Sequence, residues 1–176
     1  MTNNNNLIDG TIWYQMKQIK TDWFYGTLLI DKNNKYENRY RLFITIACSV
    51  IGLLIDIDSC KYLDKLMPLT GSIMGWLISG AKELRPWFLK DTETLEQIKT
   101  TLPLYSFYFT KMKSIFDKVR DGSLNKEEAM ERYNAEIQSI ESLQMIISES
   151  FGSVDEKLND LAKVKCDKYL RSIYNI

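Results

Sequence analysis

The sequence predicts an all-α fold in which a two-helix transmembrane hairpin lies between an N-terminal amphipathic helix and a C-terminal cytosolic helical bundle. Two runs without any charged residue, 42–55 and 66–81, are the main observation behind this prediction. Apolar residues recur at helical spacing on both sides of these runs, and no strand-like alternation of any length occurs. We therefore divide the chain into an N-terminal segment (1–35), a hairpin (36–86) and a C-terminal segment (87–176).

The N-terminal segment is expected to form one amphipathic helix from Thr11 to Asp31, after a polar start that lacks the basic and apolar pattern of a signal peptide. Its apolar positions follow helical steps: Ile12, Met16, Ile19 and Trp23, with Tyr14, Phe24 and Leu28 beside them. This face is rich in aromatic rings, which suits either a core face or a helix resting at a membrane interface. The polar run Asp31–Asn34 predicts a turn before the next helix.

The hairpin is predicted to place its spans at about residues 42–57 and 66–81. At about 1.5 Å per residue the charge-free runs measure roughly 21 and 24 Å, less than the roughly 30 Å of hydrocarbon in a bilayer. The flanking charge favours the membrane, because the net charge is +3 over residues 32–41, −1 over the linker 56–65 and +2 over 82–90. Under the positive-inside rule both termini face the cytosol. A helical hairpin buried in a protein core is the alternative.

Three helices are expected in the C-terminal segment. They run from Asp91 or Thr92 to Arg120, from a cap at Asn125 to Ser150, and from a cap at Ser153 to about Ile173. Pro103 is expected to kink the first helix, and Glu128 completes a capping-box pattern in the second. The second helix also carries a helix-pairing seam at steps of three and four: Met130, Tyr133, Ile137, Ile140 and Ile147, interrupted by Gln144.

The first predicted span carries a polar stripe that is a candidate pore lining. Its members fall four, three and four residues apart on one helix face: Thr45, Ser49, Gly52 and Asp56. Hydroxyl and carboxylate groups inside a membrane usually face a bundle interior or a water-filled path. The alternative is that Thr45 and Ser49 bond their own helix backbone and that Asp56 belongs to the linker.

The second predicted span carries small residues at four-residue steps: Gly71, Gly75 and Ser79. Membrane helices approach one another closely at such faces, so we expect a helix-packing contact within the hairpin or between copies of the chain. The alternative is that the glycines only relax the helix after Pro68.

The composition argues against catalysis and metal binding. The chain has no His, and its three cysteines, Cys48, Cys60 and Cys166, form no CxxC pair. A weak candidate ligand site is the cationic helix end formed by Lys111, Lys113, Lys118 and Arg120. Such a cluster suits phosphate groups, and it equally suits the negative end of a helix dipole. We expect no enzymatic activity, no cofactor and no metal.

The layout of the chain resembles that of the SLATT family of bacterial two-span membrane proteins. The resemblance rests on the aromatic helix TIWYQMKQIKTDWFYGTLLI, the basic ENRYRLF, the two short apolar spans and the C-terminal KVKCDKYLRSIYNI. It implies a pore-forming effector of an anti-phage defence system, embedded in the lipid of the bacterial inner membrane. It also implies a homo-oligomer, such as a tetramer, whose cytosolic helices sense a nucleotide or oligonucleotide signal made by a partner nucleotidyltransferase.

Two other functions remain open from the sequence. One is a helical adaptor that binds a partner protein through the Met130–Ile147 seam. The other is a holin-like lysis protein, against which the long C-terminal segment argues.

Overall fold

The computed structural model describes residues 3–56, 67–151 and 153–175, with side chains described at 10–50, 71–85, 89–145, 151 and 153–175. Nearly all of these residues lie in five α-helices: α1 (Asn3–Asp56), α2 (Met67–Phe88), α3 (Thr92–Arg120), α4 (Lys126–Phe151) and α5 (Glu156–Tyr174). The described part contains no β-strand. The all-α prediction is therefore confirmed.

The helices belong to two compact units. The bundle unit comprises Met1–Ile30 and Thr92–Ile176, and the hairpin unit comprises Asp31–Asp91. Helix α1 contributes residues to both units. The N-terminal and C-terminal segments of the sequence therefore join in one unit, which sequence order alone does not reveal.

Helix α1 is one continuous helix, and the turn predicted at Asp31–Asn34 is wrong. Asp31 and Asn34 are exposed, whereas Asn33 is buried and its Oδ1 accepts a hydrogen bond from the backbone N–H of Lys90 at 2.9 Å. Asn and Asp disfavour helix interiors by only a few tenths of a kcal/mol each, and packing on both sides overrides that preference. The predicted start at Thr11 is wrong as well, because α1 begins at Asn3.

The predicted boundaries of α3 and α4 are confirmed, including the passage of α3 through Pro103. Gly122 follows α3 with a φ of 76°, a left-handed value that glycine adopts freely. The Asn125 Oδ1 accepts a hydrogen bond from the backbone N–H of Glu128 at 2.9 Å, as an N-cap should. The predicted cap of the last helix is wrong: Asp155, and not Ser153, accepts from the backbone N–H groups of Lys157 and Leu158.

The core of the bundle unit is built by four helices. Helix α1 contributes Ile12, Met16 and Ile19, all at most 1% exposed. The other helices contribute the following fully buried side chains: Ile98, Tyr105 and Met112 from α3, Ile140 from α4, and Cys166 from α5. The aromatic residues Trp13, Trp23 and Phe24 pack against this core. The aromatic side of the N-terminal helix is therefore a core face.

The seam on α4 faces the interior of the bundle unit. Helix α4 packs against α3, and Ile140 is fully buried, while Met130, Tyr133 and Ile137 are half-buried. The buried residues Ala129 and Leu143 share this side of the helix, and the side chain of Ile147 lies outside the described residues. The predicted helix pairing thus takes place within the chain, which removes the seam as a docking face for an adaptor.

Candidate membrane and self-association surface

The hairpin unit is closed at its charged end by α1 and α2, which run antiparallel there. The Lys90 backbone N–H binds Asn33, and further along α1 the Glu37 carboxylate binds the Arg85 guanidinium at 3.2 Å. The partner of the later α1 residue, Glu37, therefore comes earlier in the chain than the partner of Asn33, as in an antiparallel pair. The Arg85 guanidinium also lies 5.8 Å from the ring centre of Tyr40. The two basic flanks predicted from sequence therefore meet at one end of the unit.

Beyond this charged end, the hairpin unit exposes large apolar side chains. Trp76 is 77% exposed, Leu42 60% and Ile46 54%, and Phe43, Ile73 and Leu77 are also exposed. No charged residue occurs in 42–50 or 71–81, the parts of the two helices that carry them. A soluble monomer rarely exposes so much contiguous apolar surface, so this surface is a candidate for lipid or for another protein chain.

The least exposed residues of these segments mark the side on which the hairpin closes. Ala47 is 4% exposed, and Ile44 is half-buried one turn earlier on α1. On α2 the half-buried residues Met74, Ile78 and Ala81 recur at steps of four and three. One narrow apolar stripe on each of the two helices is therefore at least half-buried, and the remaining apolar faces are exposed to solvent.

Both described members of the candidate pore lining are exposed on α1. The Thr45 hydroxyl donates to the Arg41 carbonyl at 2.9 Å, and the Ser49 hydroxyl donates to the Thr45 carbonyl at 2.8 Å. These are the backbone bonds of the alternative interpretation. They satisfy the hydroxyl hydrogens and leave the oxygen lone pairs to accept from water. Gly52 and Asp56 belong to α1, but the surroundings of these two residues lie outside what the structure describes.

The small-residue stripe on α2 does not close the hairpin. Gly71, Gly75 and Ser79 are exposed, and a Cβ atom built on either glycine would meet no other side chain within 4 Å. Of the two contacts expected from sequence, only the contact between copies of the chain stays open, as a prediction.

A groove lies between α1 and α2 next to the charged end of the hairpin unit. Its volume is about 320 Å³, and it is lined by Tyr36, Arg39, Tyr40, Phe43, Ala81, Leu84, Arg85 and Leu89. Sequence reasoning placed Phe43 and Ala81 in the two predicted spans and the other lining residues outside them, without predicting a groove. The signal was present, because the α1 members recur at steps of three, one and three on one helix face.

The cationic cluster on α3 is largely neutralised within the bundle unit. Lys111 Nζ lies 2.6 Å from a carboxylate oxygen of Glu136, and Lys113 Nζ lies 2.5 Å from one of Asp117. The Arg120 guanidinium lies 5.6 Å from the ring centre of Tyr174, and Lys118 is exposed. Two of the four cationic groups are thus paired with carboxylates, and both Lys113 and Arg120 lie 5.6 Å from the ring centre of Tyr174.

Sequence reasoning missed two charged residues of the bundle unit, of which one is buried and the other is half-buried. Lys20 is 7% exposed, and its ammonium lies 4.0 to 5.4 Å from four ring centres: those of Trp23, Tyr169, Phe109 and Phe24. Burial lowers the pKa of Lys20, while the neighbouring Cys166 acts in the opposite direction. Neither residue type nor spacing predicts that this lysine is buried, because lysine on an amphipathic helix is normally solvated.

The second is Asp22, whose carboxylate accepts hydrogen bonds from the side-chain amides of Gln144 at 3.3 Å and Gln18 at 3.5 Å. Burial raises the pKa of Asp22 to about 6, and these two bonds only partly offset that rise. The described residues contain no group of three or more Cys, Asp or Glu side chains placed to hold a metal ion.

None of the described helices combines the length and the hydropathy that crossing a bilayer requires, so they lend no support to the transmembrane part of the fold prediction. No protein-family model, curated protein or solved structure matches the chain.

Proposed function

We propose that the chain is a non-enzymatic, homo-oligomeric membrane protein whose hairpin unit inserts into the bilayer and forms a pore. The observation that carries this proposal is the open apolar surface of the hairpin unit, with Trp76, Leu42 and Ile46 more than half exposed. Covering apolar surface is worth about 25 cal/mol per Å², so this surface gains free energy from lipid or from neighbouring copies.

The charged end of the hairpin unit supports insertion from one side. Arg39, Arg41 and Arg85 are exposed there, and Tyr36 and Tyr40 occupy the same level. Cationic and tyrosine side chains are typical of the headgroup region on the cytosolic side. Because the charge-free runs are short, insertion requires these long side chains to reach outward or the bilayer to thin locally, each at a modest cost.

The exposed stripes supply the remaining parts of the proposal. Gly71, Gly75 and Ser79 offer a smooth face for contact between copies, and Thr45 and Ser49 offer hydroxyl oxygens to a shared path. The nucleotide signal, the partner nucleotidyltransferase and the role in anti-phage defence rest on the family resemblance alone and stay predictions. A soluble adaptor remains the rival, with the apolar face of the hairpin unit as its docking surface.

Fractionation of cells that express the full chain tests the insertion step. We expect the protein to sediment with membranes, to resist extraction by high salt and carbonate, and to dissolve in detergent, because burial and not charge holds it. Recovery in the soluble fraction without detergent would reject the proposal and favour the adaptor.

A matched pair of variants tests the pore. Ser49→Leu places a bulky apolar side chain on the polar stripe, so leakage of a dye through vesicles containing the protein should fall while insertion and oligomer size stay the same. Ile46→Leu, on an exposed apolar position of the same helix, serves as the control and should leave leakage unchanged. Unchanged leakage in both variants would mean that the Thr45 and Ser49 stripe does not line a path.

A further inference from the structure

The groove of the hairpin unit has a mainly apolar lining, and its polar lining residues lie toward the charged end of the unit: Tyr36, Arg39, Tyr40 and Arg85. On α1 its lining passes from Tyr36 and Arg39 to Phe43 over seven residues, which is about 10 Å along a helix. The apolar wall opposite is formed by Ala81 and Leu84 on α2 and by Leu89 directly after α2. A cavity of about 320 Å³ with this polarity matches an amphiphile and not a small polar solute.

The charge at the mouth of the groove is positive. Glu37 is the only acidic residue in 32–41, and it already binds Arg41 and Arg85, each at 3.2 Å. Arg39 lines the groove and takes part in none of the ion pairs described in the hairpin unit. A guanidinium presents several N–H donors in one plane, a geometry that fits a phosphate group.

We infer that this groove binds one anionic phospholipid, with its phosphate at Arg39 and Arg85 and one acyl chain along Phe43, Ala81 and Leu84. This inference deepens the proposed membrane function and rests on it for the source of the lipid. Tyr36 and Tyr40 sit at the polar end, where tyrosine rings in membrane proteins meet headgroups. Basic pockets between membrane helices are a known way of holding anionic headgroups.

Native mass spectrometry of the full chain in mild detergent tests the inference. The probes are short-chain phosphatidylglycerol and phosphatidylcholine with identical acyl chains, each below its micellar concentration, so the measurement works whether or not the protein inserts into membranes. We expect phosphatidylglycerol to bind about fivefold or more tightly, because the choline cation of phosphatidylcholine is repelled by Arg39 and Arg85 whereas phosphatidylglycerol has a net negative charge. Equal binding of both lipids would overturn the inference, and so would full competition by an equal concentration of inorganic phosphate.

Two variants that each remove one positive charge locate the site. Arg39→Gln should reduce the preference for phosphatidylglycerol to near the phosphatidylcholine level, whereas Lys82→Gln, an exposed residue outside the groove lining, should leave it unchanged. Equal losses in both variants would show that net charge alone attracts the lipid, which contradicts a built site. Ala81→Phe fills the groove and should weaken both lipids, with retention of helical circular dichroism as its folding control.

The failure of this inference and the failure of the proposed function give different results. If the protein stays soluble yet prefers phosphatidylglycerol in an Arg39-dependent way, the lipid-binding groove is supported and the membrane hairpin is rejected. A protein that sediments with membranes but shows no preference would keep the hairpin and reject the groove.

Discussion

The bundle unit and the hairpin unit treat the same residue types in opposite ways, and helix α1 shows both treatments along one backbone. Ile19 on α1 is fully buried within the bundle unit, whereas Ile46 on the same helix is 54% exposed within the hairpin unit. Amphipathic spacing therefore identifies an apolar face but not what covers it. In the bundle unit the chain itself covers this face, whereas in the hairpin unit the described residues leave it exposed.

The aromatic residues sharpen this contrast. In the bundle unit the rings of Trp13, Phe116 and Tyr174 pack mutually, with centroids 5.3 to 5.4 Å apart. In the hairpin unit Trp76 is 77% exposed. A tryptophan buries 150–250 Å² when it is covered, so Trp76 is where covering the hairpin unit would bury the most apolar surface under our proposal.

The largest expected effect comes from truncating matched isoleucines on α1. Ile19→Ala should lower the free energy of unfolding by about 2–5 kcal/mol, because it leaves a cavity in a packed core. Ile46→Ala should lower it by less than about 1 kcal/mol, because no described cavity forms at an exposed position. Guanidinium unfolding at a fixed detergent concentration, followed by near-ultraviolet circular dichroism, measures both. Equal losses would mean that Ile46 is buried as deeply as Ile19 in the assembled protein.

A matched pair of glycines gives the next largest effect. A Cβ atom on Gly26 would lie 2.9 Å from Leu102 Cδ2 and 3.5 Å from Ile98 Cγ2, whereas one on Gly75 would meet open space. Gly26→Leu should therefore destabilise the bundle unit by about 1–3 kcal/mol through overpacking. Gly75→Leu should leave the unfolding midpoint unchanged or slightly raised and should reduce oligomer size on gel filtration. Unchanged oligomer size would assign the small-residue stripe to lipid.

Two carboxylates predict pH effects of opposite sign in the two units. The pKa of Asp22 rises from its ordinary 3.8 to about 6, mainly through burial. Its protonated form is therefore favoured by folding, so its contribution is complete below about pH 4 and is lost as the pH rises through 6. Asp22→Asn should be more stable than the wild type at pH 7 by roughly 1–3 kcal/mol and should lose this pH dependence. If the wild type and Asp22→Asn have the same free energy of unfolding as each other at both pH 5 and pH 7, the raised pKa of Asp22 is contradicted.

The smallest expected effect is at Glu37 in the hairpin unit. Partial desolvation acts to raise its pKa, but the hydrogen bonds and charges of Arg41 and Arg85 outweigh it, so the pKa is lowered. The ionised form is favoured by folding, so this contribution is present at neutral pH and is lost as the pH falls through the lowered pKa. Glu37→Gln should cost less than about 1 kcal/mol at pH 7, because the ion pairs are exposed to solvent. Thermal unfolding at pH 7 and pH 4 in low salt should show a larger difference between variant and wild type at pH 7 than at pH 4.

The sequence predicts helix type and most helix ends well, because local chemistry decides them. Asn125 caps α4 and Gly122 follows α3 as their residue types require. The turn predicted at Asp31–Asn34 failed for a nonlocal reason: Asn33 finds its partner at Lys90, 57 residues later. The candidate groove was not predicted for the same reason, since its lining combines four residues of α1 with residues of α2 and Leu89, which are far away in the sequence.

The buried Lys20 also restricts how the helices of the bundle unit can slide past one another. Its four rings come from three helices, with Trp23 and Phe24 on α1, Phe109 on α3 and Tyr169 on α5. A slip of one helical turn moves α1 by about 5.4 Å, which carries the ammonium away from Phe109 and Tyr169 while Trp23 and Phe24 move with it. A purely aliphatic side chain at this position would tolerate such a slip. The contacts with Phe109 and Tyr169 thus favour the observed alignment of α1 with α3 and α5 over one shifted by a turn.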